Sequence, residues 1–257
     1  STSVPSTRFL NLLRHTGRTA LEFLYPPACL ICYAHLPADS PSTHLCQSCR
    51  TNVAVGVNAS RCRRCGEPIG PHLDPQEPCA QCKGTPFAFE RVLRWGLYEE
   101  LLRDVAVRGK HPGGPRLIST LARIAAPEIL TQLGDDSVAA VLPVPQFWFQ
   151  RITRPHNSAE LLAREWSLVL GKPFSHRWLR KVRWTPKQVG LSATARRENL
   201  RDAFRARLPR SLQGSTLLLV DDILTTGSTA HQASRALRAA GAKRVIVAVL
   251  ARNRSSR

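Results

Sequence analysis

Eight cysteines, all within residues 29–82, are the residues of this chain whose type and spacing most directly suggest chemistry. They form two units with the spacing C-x2-C-x13-C-x2-C, and the second unit repeats the first 33 positions later. A C-x2-C pair can present two thiolates from one tight turn, and four thiolates complete a tetrahedral zinc site. The spacing therefore predicts two Zn2+ ions, held by Cys29, Cys32, Cys46 and Cys49 and by Cys62, Cys65, Cys79 and Cys82.

The two zinc ions are expected to be structural, because four cysteine ligands leave no open position for a reacting water. Four disulfides are the alternative. However, residues 1–25 lack the uninterrupted apolar core of a secretory signal, and residues 83–257 contain no cysteine. Zinc is therefore the preferred interpretation. The spacing leaves open whether each site uses one repeat or whether the two repeats exchange pairs.

A second segment, residues 221–229, also has residue types suited to ligand binding. It reads Asp-Asp-Ile-Leu-Thr-Thr-Gly-Ser-Thr and lies between an apolar segment and an alanine-rich one. A helix that begins here exposes unpaired amides that can bind a phosphate, and hydroxyl side chains add donors. Asp221 and Asp222 can accept hydrogen bonds from two sugar hydroxyls or help to hold Mg2+. Together these groups predict a ribose phosphate ligand. The expected phosphate ligands are Thr225, Thr226, Gly227, Ser228 and Thr229.

The elements that must position these residues alternate between apolar strands and helices, which indicates an α/β domain with a parallel sheet. Strands are predicted at 91–98, 138–144, 216–220 and 244–250, and helices at 99–107, 116–133, 157–170 and 228–240. We divide the chain into an N-terminal amphipathic helix (1–27), a double zinc ribbon (28–85) and the α/β domain (86–257).

The composition is strongly basic, with 37 Lys and Arg against 18 Asp and Glu and a formal net charge of +19. Such a charge is compatible with nucleic acid, anionic lipid or phosphorylated metabolites, and with arginines that are simply solvated. The net charge alone does not distinguish among these interpretations. No apolar run approaches the ~20 residues of a membrane span. We therefore expect a cytoplasmic protein with no membrane span.

Residues 217–229 closely resemble the PRPP-binding motif of type I phosphoribosyltransferases over 13 consecutive positions. With the two cysteine units in front, the whole chain resembles the ComF family, whose members include proteins needed for DNA uptake in natural competence. Further residues sit where the family pattern has equivalents, namely Tyr25, Pro26, Pro27, Lys110, Val144, Pro145, Arg154, Asn157, Gln188, Leu191, Arg196, Asn199, Ala203 and Phe204. The resemblance implies a type I phosphoribosyltransferase-like parallel sheet behind a double zinc ribbon.

The resemblance also implies roles for individual residues. Asp221 and Asp222 would be catalytic, holding the ribose or Mg2+, while residues 225–229 hold the 5-phosphate of PRPP. Lys110, Arg151 and Arg154 would hold the pyrophosphate. One departure concerns that half of the site: where the family usually has Arg-Gly-Phe-Asn-Gln, residues 154–158 read Arg-Pro-His-Asn-Ser. A proline in place of the glycine changes the backbone there, so the pyrophosphate half of the site departs from the family pattern while the 5-phosphate half matches it.

Two classes of function are consistent with these residues. The first is a phosphoribosyltransferase with an unknown acceptor. The second is a PRPP-sensing adaptor in DNA import that binds single-stranded DNA or a competence helicase, and in either class the protein could be a homodimer. Stacking of single strands on aromatic rings would need exposed tryptophans, but we expect most of them to be core. They are Trp95, Trp148, Trp166, Trp178 and Trp184.

Overall fold

The alternating strands and helices expected from the apolar pattern are present. In the computed structural model, the described residues are 27–37, 45–55, 60–83, 85–98, 100–109, 113–147, 156–184, 200 and 202–254. The strands are β1 (Arg91–Leu97), β2 (Ala140–Pro143), β3 (Leu179–Lys181), β4 (Phe204–Ala206), β5 (Thr216–Leu224) and β6 (Arg244–Arg252). The helices are α1 (Gln47–Val55), α2 (Glu100–Arg108), α3 (Gly114–Leu133), α4 (Ser158–Leu170) and α5 (Ser228–Ala239), with a 3-10 turn at Arg210–Leu212. Except for its last residue, the predicted N-terminal helix at 1–27 lies outside the described residues.

Four of the strands form one parallel sheet in the order β1-β6-β5-β2. β5 pairs with β6 along its length, whereas its pairing with β2 ends at Val220. Residues 217–220 and 245–250 are buried, as expected for parallel strands that are covered on both faces. The predicted parallel-sheet α/β fold is therefore confirmed.

Helices cover both faces of this sheet. On one face, Ala233 and Leu237 of α5 join Leu219 of β5 in an apolar cluster that also includes residues of the antiparallel pair β3 and β4. On the other, α4 packs on β2 and β5, and α3 packs on α4 and β1. The indole nitrogen of Trp166 donates to the carbonyl of Ala122 at 2.9 Å, which joins α4 to α3. The core thus lies on both sides of β5.

The outer edge of β1 is covered rather than left as an open strand. The side-chain amide of Gln132 in α3 accepts a hydrogen bond from the Arg94 amide at 3.0 Å and donates to the Arg94 carbonyl at 2.7 Å. The Val92 amide donates at 3.4 Å to the carbonyl of Arg63, which lies between Cys62 and Cys65 of the second repeat. A side chain and a loop of the cysteine-rich segment therefore take the place of a further strand.

The chain divides into two compact units, Ser1–Thr51 and Asn52–Arg257. The first cysteine repeat belongs to the first unit, and the second repeat belongs to the unit that also contains the sheet. The domain boundaries predicted after residues 27 and 85 remain predictions. None of the described helices is both long and apolar enough to cross a membrane.

Candidate functional site

The two cysteine repeats form two separate four-thiol clusters. In each cluster the four Sγ atoms lie within 4.8 Å of one another. A tetrahedral site with Zn–S bonds of about 2.3 Å requires sulfur separations of about 3.8 Å, whereas a disulfide requires about 2.05 Å. The observed separations fit the first geometry: 3.6 Å for Cys32–Cys46, 3.9 Å for Cys62–Cys82 and 3.5 Å for Cys65–Cys79. The clusters are therefore consistent with two zinc ions, and each uses one repeat.

The first turn of each cluster has the same structure 33 residues apart. The amides of Cys29 and Cys62 donate across the turn to the carbonyls five residues later, each at 2.8 Å. The equivalent residues Tyr33 and Gly66 both have positive φ, 61° and 70°. Because the repeat extends to backbone hydrogen bonds and dihedral angles, the cysteine spacing reports a duplicated structural unit.

The loop between β5 and α5, residues 225–227, has the features of an anion site. Gly227 precedes the first turn of α5 with φ 75°. The hydroxyls of Thr226 and Ser228 are hydrogen-bonded to each other at 2.9 Å. Among the residues that the structure describes, the amides of residues 225–227 have no hydrogen-bond acceptor. Unpaired amides at a helix N-terminus, next to hydroxyl donors, can bind a phosphate.

Two stacked phenylalanines line one side of this loop. The rings of Phe87 and Phe89 are 4.6 Å apart, and a Cβ on Gly227 would lie 3.1 Å from Cε1 of Phe87. Phe87 also packs against the cysteines of the second cluster. Gly227 is therefore required both by its left-handed backbone and by the space beside it. A cleft of about 260 Å³, lined in part by Phe87, Thr226, Ser228 and His231, opens at the same place.

The two aspartates lie within β5 and not after it. The strand was predicted to end at Val220, but it continues to Leu224 because β6 continues beside it and supplies hydrogen-bond partners. Side chains alternate along a strand, so Asp221 and Asp222 project from opposite faces. Pairing with β2 stops at Val220, which leaves both carboxylates beyond the end of that strand. This is where ligands bind in open parallel sheets.

The carboxyl group of Asp221 has an unusual electrostatic environment. Burial raises its pKa well above the ordinary value, and the neighbouring charge of Asp222 raises the pKa further. The positive charge of Lys181 on β3 acts in the opposite direction. Burial in turn lowers the pKa of Lys181, and Asp221 partly offsets this effect. A partly buried carboxyl close to a like charge and a cation is typical of functional sites.

Sequence reasoning missed Lys181, because only the packing of the β3–β4 pair on the sheet brings this residue near Asp221. The residues predicted to hold pyrophosphate, Lys110, Arg151 and Arg154, lie outside the described residues. So do residues 185–199, which include several positions that resemble the family pattern.

The tryptophans follow the expectation that most belong to the core. Trp95 and Trp166 are 4% and 1% exposed, and Trp178 is partly buried against the main apolar cluster. Trp184, just after β3, is 54% exposed. Trp148 lies outside the described residues. Trp184 is therefore the described tryptophan whose ring can contact a partner.

Comparison with known proteins agrees with this architecture. Residues 155–257 match a family model described as phosphoribosyl transferase domain, and residues 20–83 match one described as double zinc ribbon domain. The DNA utilization protein YhgH of Salmonella typhi is 31% identical over 88% of this chain and 97% of its own length. Competence protein F of Haemophilus influenzae is 29% identical over 81% of this chain and 90% of its own. Competence protein ComFC of Bacillus subtilis is 25% identical over 81% and 88%, respectively. The chain therefore belongs to the ComF/YhgH family, in which a double zinc ribbon precedes a phosphoribosyltransferase domain.

Proposed function

We propose that this protein binds PRPP, or a related ribose 5-phosphate ligand, at the carboxyl end of β5. The observation that carries the proposal is the loop at residues 225–227, whose unpaired amides and left-handed Gly227 follow two aspartates at the open end of the sheet. The match of residues 155–257 to a phosphoribosyl transferase domain supports the same ligand.

Each part of the ligand has a chemically suitable counterpart. The amides of residues 225–227 and the positive end of the α5 dipole would bind the 5-phosphate, with the hydroxyls of Thr225, Thr226, Ser228 and Thr229 as further donors. The carboxylates of Asp221 and Asp222 would accept hydrogen bonds from the ribose hydroxyls. They would also help to hold Mg2+, which neutralises pyrophosphate charge when it is bound. Lys110, Arg151 and Arg154 stay the proposed pyrophosphate ligands.

The reaction supported by such a site is transfer of the phosphoribosyl group. The acceptor's lone pair forms a bond to the anomeric carbon while the bond from that carbon to pyrophosphate breaks, and pyrophosphate leaves with the electron pair. The acceptor proton passes to solvent or to a base. The protein's own contribution is positioning and electrostatic stabilisation, because positive charge develops on the ribose ring near Asp221 and Asp222.

Calorimetric titration of the zinc-loaded protein with PRPP and Mg2+ tests the binding site. Hydrogen bonds to charged groups contribute about 1.5–3 kcal/mol each, so replacing both Asp221 and Asp222 by asparagine should weaken binding about a hundredfold or more. Asp135→Asn is the matched control, because Asp135 is an exposed carboxylate in the turn before β2, at the other end of the sheet. Unchanged affinity in the double variant would refute the proposed site.

A pyrophosphate-release assay with PRPP and a panel of acceptors, including nucleobases and ammonia, then separates the two classes of function. Release that depends on an acceptor would establish a transferase. Binding without release would favour the adaptor, and the altered residues 154–158 are the sequence feature that favours this outcome.

The second candidate function is an adaptor in DNA import. The relatives' names, competence protein F and DNA utilization protein, suggest this process, and the ribbons and the exposed ring of Trp184 are surfaces that a partner could contact. Single-stranded DNA and a competence helicase are the proposed partners, and a homodimer is the proposed assembly. Binding of single-stranded DNA that is unaffected by loss of both aspartates would support an adaptor role separate from the PRPP site.

A further inference from the structure

Arg252, the last residue of β6, is buried between the second cysteine cluster and the loop at residues 225–227, the proposed phosphate loop. Its side chain is charged, yet the residue is only 1% exposed. A guanidinium has five N–H donors in a fixed planar arrangement, and burial makes an unsatisfied donor costly. The partners of these donors therefore show what the residue holds in place.

One group of partners belongs to the second zinc ribbon. Nε donates to the carbonyl of Cys65 at 3.1 Å. Nη2 donates to the side chain of Gln81 at 2.8 Å and forms an ion pair with Glu67, also at 2.8 Å. Cys65 is a predicted zinc ligand, while Glu67 and Gln81 each lie within two residues of a predicted ligand. One side of the guanidinium is thus fixed by the segments that the zinc ion would hold together.

The other group of partners belongs to the phosphate loop. Nη1 donates to the carbonyl of Leu224 at 3.1 Å, contacts the carbonyl of Thr225, and also donates to the carbonyl of the adjacent Asn253 at 2.6 Å. In a trans peptide the carbonyl and the following amide point in opposite directions. Holding the carbonyls of Leu224 and Thr225 therefore turns the amides of Thr225 and Thr226 away from Arg252, as an anion on the far side of the loop requires.

An independent contact joins the same two regions. Phe87 packs against the buried cysteines of the second cluster, and its ring lies beside Gly227, where a Cβ would be only 3.1 Å from it. The ribbon therefore contacts the start of the loop through Arg252 and its end through Phe87. Both contacts lie within the unit Asn52–Arg257.

We infer that Arg252 is a positioning residue through which zinc in the second ribbon sets the conformation of the phosphate loop. Loss of that zinc frees Cys65, Glu67 and Gln81 to move, and the guanidinium that orients the loop amides loses its anchor. Zinc occupancy and phosphate binding are then linked, and linkage requires that each strengthens the other by the same factor. The ligand part of this inference rests on the proposed function, whereas the effect on the loop does not.

Two substitutions in the zinc-loaded protein test the inference. Arg252→Lys keeps the charge but offers three donors in place of five, so it cannot hold both regions. Cys79→Ser removes one ligand of the second cluster, and Cys46→Ser is its matched control, 33 positions earlier in the first repeat. Bound zinc is counted in every variant.

The first readout is the NMR chemical shifts of the backbone amides of residues 225–227, which report the loop conformation without requiring those amides to be hydrogen-bonded, with residues 245–249 of β6 as the internal reference. We expect the loop resonances to shift or broaden in Arg252→Lys and Cys79→Ser, but not in Cys46→Ser. Unchanged loop resonances in Arg252→Lys overturn the inference. This readout needs no ligand, so it decides the inference even if the wild-type protein fails to bind PRPP and the proposed function falls.

The second readout is the affinity for PRPP with Mg2+, which should fall about tenfold in each of the two variants. A purely structural weakening would make their effects add in the double variant. If both act through one chain of contacts, adding Cys79→Ser to Arg252→Lys should cost no further affinity. The inference is overturned if the wild-type protein binds PRPP and the affinity losses of Arg252→Lys and Cys79→Ser add in the double variant. It is also overturned if Cys46→Ser loses as much affinity as Cys79→Ser. Either result would still support the proposed binding site.

Discussion

Replacing Gly227 by alanine tests whether the phosphate loop needs both a left-handed residue and free space. Gly214 provides a matched control in the same unit, because its φ of 72° nearly equals the 75° of Gly227 while nothing lies within 4 Å of a Cβ placed there. Both substitutions place an L side chain in the left-handed region, which costs about 1–2 kcal/mol. Only the substitution at Gly227 also pushes a methyl group against an aromatic ring.

The additional cost at Gly227 follows from what surrounds the ring of Phe87. The new Cβ would lie 3.1 Å from Cε1, so the ring must shift by a few tenths of an ångström. Phe87 packs against Phe89 and the second cysteine cluster, and these contacts oppose the shift. Overpacking of this kind costs about 1–3 kcal/mol. We therefore expect Gly227→Ala to destabilise the protein by about 2–5 kcal/mol and Gly214→Ala by about 1–2 kcal/mol.

Urea unfolding in zinc-containing buffer measures both free energies, and calorimetry measures the affinity for PRPP. Gly227→Ala should weaken PRPP binding at least tenfold because the loop amides are displaced, whereas Gly214→Ala should leave binding unchanged. Equal destabilisation by the two substitutions would show that Phe87 yields without cost. An unchanged PRPP affinity in Gly227→Ala would contradict the assignment of the loop as the phosphate site.

Two further predictions concern buried and paired carboxylates. At neutral pH the ionised form of Asp221 costs free energy, because burial and Asp222 raise its pKa, so Asp221→Asn should stabilise the fold by about 1 kcal/mol in thermal melts while weakening ligand binding. Asp136 has the opposite shift, since Arg91 and then Arg244 lower its pKa. Its contribution, about 2 kcal/mol, should be present above pH ~4 and lost as pH falls through the lowered pKa, so the melting temperatures of wild type and Asp136→Asn should converge in acid. If the melting temperatures of wild type and Asp136→Asn differ by the same amount at every pH in this range, the ion pair does not stabilise the protein as proposed.

Features encoded by short segments of sequence were predictable. The cysteine spacing led to both four-thiol clusters, because a knuckle is formed by neighbouring residues. The apolar runs led to the parallel sheet, because strands buried on both faces leave a continuous hydrophobic signal. The glycine and hydroxyl residues after β5 likewise predicted the loop and the helix that follows it.

Features that depend on distant partners were not predictable in the same way. β5 continues through two aspartates because β6 lies beside it, although aspartate is unfavourable in strands. Lys181 comes near Asp221 only when the β3–β4 pair packs on the sheet. In the sequence, nothing distinguishes Arg252 from the other basic residues. Its role depends on contacts with residues 65–81 and 224–225, which are distant from it in the chain.

The burial of Arg252 also determines where this chain can be divided. A fragment that begins at residue 86 would keep every strand of the sheet and the phosphate loop. It would lack the Cys65 carbonyl, Glu67 and Gln81, and would leave a charged guanidinium in the interior with half of its acceptors missing. The fragment from residue 86 onward carries the binding motif, but it needs the second ribbon in order to fold with Arg252 satisfied. The second ribbon and the sheet are therefore expected to fold as one unit.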